Sequence, residues 1–287
     1  MAEILKGLPV GQALDEKTKE TVERLKERGI LPSLTIIRLG ERESDDAYLR
    51  GIHKKSEKTG VNVNVLMLPE DISEEDYLRE VKRVSDDPAV HGVIMMRPLP
   101  KRISFNKARA LLDYRKDVDG CTDGSLAGVF ADMGHGFPPC TAAAAMRVID
   151  YYNIDVAGKL VCIIGRSLVI GRPIAMMLLQ MDATPVICHT KTADVKALCK
   201  KADIVVACCG RPELIGKEYL SEGQTVIDVG VSWNEEKQKM TGDVNDEEAL
   251  AIVGALTPVP GGIGQVTTSV LMSHVAEAAQ KLNGETT

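Results

Sequence analysis

The sequence predicts an α/β protein of two domains, each organised on a parallel sheet. Three observations carry that expectation. Strand-like and helix-like runs alternate as β-α-β-α-β before residue 100, a pattern that places helices on the faces of a parallel sheet. A β-branched run beginning at Lys159 leads through glycine into an apolar helix, which is the shape of a mononucleotide-binding turn. The chain has 287 residues, 44% of them hydrophobic, enough for two ordinary cores.

In the first region, Leu14, Thr18, Thr21, Val22 and Leu25 fall on one face of an amphipathic helix that Gly29 ends. Residues 33–40 then read as a strand, 47–60 as a helix, 61–68 as a strand, 73–84 as a capped helix and 90–96 as a strand. Binding groups belong at the carboxyl ends of such strands, and Arg97-Pro98-Leu99-Pro100 is one of those ends. A short helix over 106–112 and the run Lys116-Asp117-Val118-Asp119-Gly120 precede a glycine- and proline-bearing connector over 124–139. The domain border is expected there, giving a first domain of 1–140 completed by 265–287 and a second of 141–264.

A linking helix over 141–152 leads to the strand at Lys159, where Gly165 supplies the tight turn. The free N–H groups at the start of the following helix favour a phosphate. About twenty residues on, the next strand ends in His189-Thr190-Lys191-Thr192 with no carboxylate to hold a ribose hydroxyl. Together with Arg166 this favours a 2′-phosphate, hence NADP over NAD. The plainer alternative is a solvated strand end and a glycine kept for packing. Later strands are expected over 204–209, with Cys208-Cys209 in the core, and over 225–231, where Val231 would reach the nicotinamide side. The run Pro258-Val-Pro260-Gly261-Gly262-Ile-Gly264 reads as a rigid loop, and a helix follows over 266–282.

A net charge of −6 without a Lys/Arg-rich run speaks against nucleic acid and anionic membranes and for a small soluble substrate. No apolar stretch approaches the roughly 18 residues of a membrane span, and the opening residues lack a signal-peptide pattern, so a cytoplasmic location is expected. Seven cysteines without a C-x-x-C pair argue for reduced thiols and no metal site.

Taken together, the Tyr48 helix, Arg97-Pro98-Leu99-Pro100, Lys116 to Gly120, Gly165-Arg166-Ser167 with Gly171-Arg172-Pro173, Cys188-His189-Thr190, Asp228-Val229-Gly230, Gly242-Asp243-Val244 and Thr257 to Gly264 resemble the methylenetetrahydrofolate dehydrogenase/cyclohydrolase family. The resemblance implies an amino-terminal domain that binds tetrahydrofolate one-carbon derivatives, a Rossmann-type NADP domain, a final helix packed back on the first domain, and a homodimer. It implies that Tyr48 stacks on the folate and that Asp119 accepts hydrogen bonds from the pterin. Arg97, Pro98, Pro260, Gly261, Gly262 and Gly264 would line the folate side. Gly165, Arg166, Ser167, Gly171, Arg172, Pro173, His189, Thr190 and Val231 would line the cofactor side.

The chain departs from the family inside the folate pocket. Asp45 stands where the family carries serine, Ile52 where it carries a catalytic lysine, and Met96 where it carries the glutamine that holds that lysine. Lys54 matches a second family lysine, and two residues along a helix turn its side chain about 200° from Ile52. The expected activity is therefore NADP-dependent oxidation of 5,10-methylenetetrahydrofolate with methenyltetrahydrofolate hydrolysis reduced or lost. The alternatives are a bifunctional enzyme and a catalytically impaired folate- or nucleotide-binding homologue. A two-domain oxidoreductase of the shikimate type would leave Asp119 and the Pro258 loop unexplained.

Overall fold

Short apolar strands separated by amphipathic helices form two parallel sheets in the computed structural model, which describes residues 2–285 without the side chains of 43 and 44. The chain begins with β1 (Glu3–Ile4) and α1 (Gly7–Glu27). This helix starts seven residues before the expected Leu14. Pro9 lies in its first turn, where an amide N–H has no helical partner to lose. Gly7 meets a close neighbour, for a Cβ there would lie 2.0 Å from the Gly262 carbonyl oxygen.

The predicted alternation follows: β2 (Ser33–Leu39), α2 (Glu43–Thr59), β3 (Asn62–Leu68), α3 (Glu74–Asp86) and β4 (Gly92–Met95). Gly60, at φ 78°, ends α2, and the Ser73 hydroxyl caps α3 by accepting from the Asp76 N–H at 3.0 Å. Next come α4 (Phe105–Leu111), α5 (Asp123–Ala131) and α6 (Cys140–Tyr151). Helix α5 occupies much of the expected connector. Thr122 caps it, and its glycines are there for packing, since a Cβ on Gly128 would lie 2.1 Å from the His135 carbonyl oxygen.

The remaining elements are β5 (Leu160–Ile164), α7 (Gly171–Gln180), β6 (Thr184–Cys188), α8 (Val195–Lys201), β7 (Ile204–Ala207) and β8 (Thr225–Asp228). After them come the hairpin β9 (Ser232–Asn234) and β10 (Lys239–Thr241), then α9 (Asp246–Ala249), β11 (Ala255–Leu256) and α10 (Thr267–Leu282). Strand β7 stops at Ala207, so Cys208 and Cys209 lie beyond it; Cys208 is buried and Cys209 only half-buried, which corrects the expectation of a core pair.

Contacts divide the chain into two units. One joins Gln12–Cys140 to the segment from Thr268 onward; the other joins the segment ending at Gly11 to Thr141–Thr267. The opening residues, expected in the amino-terminal domain, thus add strand β1 to the second sheet, where Glu3 pairs with Ala255 and Ile4 with Leu256. A two-residue strand has no periodicity to betray its partner.

The first unit holds the parallel sheet β3-β2-β4, with a core that includes Ile37, Leu39, Tyr77, Val81 and Val93. The second holds β1-β11-β8-β7-β5-β6, also parallel, around Cys162, Val205, Val226 and Leu256. In each sheet the first strand of the alternation, β2 or β5, has its two successors on opposite sides. The carboxyl ends of β2 and β5 are therefore the places where a ligand crevice opens. Among the described residues, no helix is long and apolar enough to cross a membrane.

Candidate active site

In the first unit, the carboxyl end of β2 leads into α2, which carries Tyr48 and, one helical turn later, Ile52. Tyr48 is half-buried, and its phenol is held far above its ordinary range by burial and by the nearby Asp119 carboxylate. Ile52 is fully buried and Met96, just past β4, is 7% exposed. The inward face at both positions is apolar.

Neither of the two lysines near Ile52 shares its buried position. Lys54 is exposed, as the helical angle predicts. Lys55 donates to Asp15 Oδ2 at 2.7 Å, and Lys58 reaches the same oxygen at 3.2 Å, tying α2 to α1. Asp45, the residue in place of serine, is buried within salt-bridge distance of two arginines, at 3.4 Å from Arg42 Nε and 3.7 Å from Arg38 Nε. Arg42 in turn donates to the Pro98 carbonyl at 2.8 Å.

Asp119 sits on a braced loop. The buried Asp117 carboxylate accepts from the backbone N–H groups of Cys121 at 3.0 Å and Thr122 at 2.7 Å. The Val118 carbonyl accepts from Cys140 Sγ at 3.2 Å and from His274 Nδ1 at 2.9 Å. Gly120, at φ 65°, closes the turn so tightly that a Cβ would lie 2.4 Å from Pro139 N. Burial raises the Asp119 carboxyl to about 6, with Arg97 opposing the rise and Asp117 adding to it. Tyr48, Arg97 and Asp119 are thus electrically coupled neighbours, and Ile52 and Met96 are buried on the elements that carry Tyr48 and Arg97.

The other predicted residues belong to the second unit. At the end of β5, Gly165 has φ 140°, and a Cβ on it would lie 2.3 Å from the Cys208 carbonyl oxygen. A Cβ on Gly171 would lie 2.2 Å from the Gly165 carbonyl oxygen, so the two glycines close the turn against each other. Ser167 Oγ accepts from the Ile170 N–H at 3.0 Å, and its carbonyl accepts from the Arg172 N–H at 3.1 Å, shaping the entry to α7. Pro173 is buried within that helix, while Arg166 and Arg172 are exposed and have no ion-pair partner among the described residues.

The register pairs Ile164 with Cys188, so two residues further on Arg166 and Thr190 leave adjacent strand ends. His189 braces its own turn, since its Nδ1 accepts from the Lys191 N–H at 3.1 Å and its N–H donates to Thr192 Oγ1 at 2.9 Å. Val231 is 52% exposed. Of the Pro258 loop, Pro260 and Gly264 are exposed, whereas Gly262 is buried and the Gly261 carbonyl accepts from the Gly7 N–H at 2.8 Å.

Two further residues, Asp228 and Asp243, were named from the sequence only within their motifs and without a role, and the structure gives them positioning roles. The Asp243 carboxylate accepts from the N–H groups of Cys209, Gly210 and Arg211 at 2.6–2.9 Å. The Asp228 carboxyl, raised to about 8 chiefly by burial, accepts from Gly230, Asp243 and Val244 at 2.9–3.2 Å. Together they knit the loops after β7 and β8. The available signal was that each stands beside a glycine, Gly230 or Gly242, whose missing side chain makes room for a carboxylate.

Residues 5–119 match the model for the tetrahydrofolate dehydrogenase/cyclohydrolase catalytic domain, and residues 139–283 match that for the NAD(P)-binding domain of the same family. The chain belongs to this family. It is 42% identical over 285 residues to the bifunctional protein FolD of Carboxydothermus hydrogenoformans, covering 99% of each chain. Among solved structures, the bifunctional FolD methylenetetrahydrofolate dehydrogenase/cyclohydrolase of Campylobacter jejuni superposes with a TM-score of 0.94 at 32% identity, over 98% of this chain and 99% of that one. The Trypanosoma brucei FolD, solved with NADP cofactor and inhibitor, gives 0.89 at 29% identity over 98% of each. The expected family, the two-domain α/β fold and the NAD(P)-binding domain are all present.

Proposed function

We propose that this chain oxidises 5,10-methylenetetrahydrofolate with NADP and hydrolyses the methenyl product slowly or not at all. The observation that carries the second half is the buried apolar pair Ile52 and Met96 where the family places a lysine and its glutamine. Hydrolysis needs water to attack the one-carbon centre and a positioned group to move protons as the adduct forms and opens. Neither side chain has a transferable proton, and the neighbouring lysines are exposed or bound to Asp15.

Oxidation makes a different demand. It needs the folate and cofactor faces held at a fixed separation, which an apolar wall does not hinder. Tyr48 offers an aromatic face for the folate ring, and Asp119 offers a carboxylate to the pterin N–H groups. The glycine-closed turn at Gly165 and the unpaired Arg166 and Arg172 suit a phosphorylated dinucleotide. NADP, when bound, accepts the hydride. The neighbouring strand ends of Arg166 and Thr190 suit a 2′-phosphate, and the run His189-Thr190-Lys191-Thr192 holds no carboxylate to repel it.

One assay tests the reading: purified protein with methylenetetrahydrofolate and NADP, followed by NADPH absorbance and then by decay of added methenyltetrahydrofolate. NADPH formation with methenyl decay at the spontaneous rate is expected; failure to reduce NADP refutes the oxidation, and decay at a rate matching NADPH formation refutes the loss. Arg166→Ala should weaken NADP by roughly ten- to a hundredfold while leaving NAD nearly unchanged, as expected for one charge-assisted contact. Equal weakening of both cofactors, measured by titration, removes Arg166 from the 2′-phosphate.

A further inference from the structure

The exit of β4 is pinned by charge. Arg38 donates to the Arg42 carbonyl and to Asp46 Oδ1, each at 2.8 Å, and Asp45 faces both arginines. Arg42 then holds the Pro98 carbonyl, which belongs to the residue after Arg97. The Arg97 guanidinium lies 5.1 Å from the centre of the Phe105 ring, with Nη2 3.8 Å from Asp119 Oδ2. That separation is an ion pair too long for a strong hydrogen bond, so the carboxylate oxygens keep lone pairs for another donor. We propose that Arg97 is the fixed counter-ion of Asp119, keeping its carboxylate charged for pterin recognition and so setting the pH below which the chain releases folate.

This inference rests on the folate reading of Asp119 given above. The groups around that carboxylate come from every neighbouring element. Asp117 and Cys121 flank it on its own loop, Tyr48 faces it from α2, Cys140 from the start of α6 and Arg97 from the exit of β4. His274 of α10 reaches the loop at the Val118 carbonyl and lies 3.8 Å from Cys140 Sγ. Arg97 is the one cation among them. A guanidinium is a permanent cation, so such a group stabilises an anion without exchanging protons with substrate. Burial pushes the carboxyl up toward neutrality, so the anion depends on a nearby cation to hold it. Removing the cation takes away the largest opposition to burial and Asp117, leaves the hydrogen bond from the Cys140 thiol, and raises the midpoint.

The test is the dissociation constant of 5-formyltetrahydrofolate, a reduced folate stable in air, measured by calorimetry between pH 5.5 and 9 on wild type, Arg97→Leu, Arg97→Lys and Asp119→Asn. Arg97→Leu should move the acid limb of binding upward by about one pH unit, so that the loss of affinity relative to wild type is several-fold larger at pH 6.5 than at pH 9. Arg97→Lys should restore the wild-type limb. Asp119→Asn should bind weakly with a flat profile. An Arg97→Leu curve that superimposes on wild type overturns the proposal, as does a uniform loss at every pH, which would make Arg97 a direct contact. If Asp119→Asn binds like wild type, the folate role of Asp119 itself falls and the counter-ion role falls with it, a result separate from either Arg97 outcome.

Discussion

Ile52→Lys combined with Met96→Gln is expected to create or sharply raise methenyltetrahydrofolate hydrolysis, by a factor of roughly 10² to 10⁴, the usual worth of a positioned acid-base group. The site is suited to such a lysine, because burial lowers an ammonium's affinity for its proton and brings it toward neutrality. Position 52 is fully buried, and Met96 is almost as enclosed. Ile52→Lys alone should do less, since an unheld ammonium there has no amide to orient it and costs stability as an unpaired buried charge. The measurement is methenyl absorbance decay above the spontaneous rate, with NADPH formation assayed in parallel. A double variant that folds and oxidises but does not hydrolyse would show that these two side chains do not control hydrolysis.

Gly165→Ala is expected to destabilise the second unit by roughly 3–5 kcal/mol and to abolish NADP binding. Two costs add. Alanine is strained at φ 140°, and its methyl group would lie 2.3 Å from the Cys208 carbonyl oxygen, a backbone atom that cannot yield without moving the end of β7. Moving it disturbs the loop whose N–H groups Asp243 holds. Thermal unfolding and NADP titration of the variant read both effects, and a variant with wild-type melting temperature and affinity would show that the turn is softer than its contacts imply. Gly264→Ala is the control, as a Cβ there meets nothing within 4 Å.

The fold was legible where the chain's apolar period is long. The alternation through residue 96, the Lys159 strand with its glycine turn and the final helix all carry enough repeats to read. Elements that depend on distant partners did not read. Strand β1 is two residues long, and β9 and β10 are three each, with Trp233 and Met240 paired across the hairpin on exposed positions. Helix α5 was hidden by glycines whose purpose is close packing. In the site, single residues were legible but their neighbours were not. Arg97 and Asp119 could each be named, yet their pairing depends on how β4 and the Asp117 loop come together. Asp228 and Asp243 likewise acquire their roles only when two loops meet.

The pairing of Glu3 with Ala255 has a consequence for how the protein is made. Strand β1 docks on a strand that is synthesised long after it, while the first unit's sheet needs nothing beyond β4 to align its strands. Until β11 has emerged, the β1 segment has no strand to join. Closure of the second sheet is therefore the slow, non-local step of assembly, because the longest loop must be closed before its contacts form. A bulky group attached ahead of β1 burdens that step, and so threatens the second unit, to which β1 belongs.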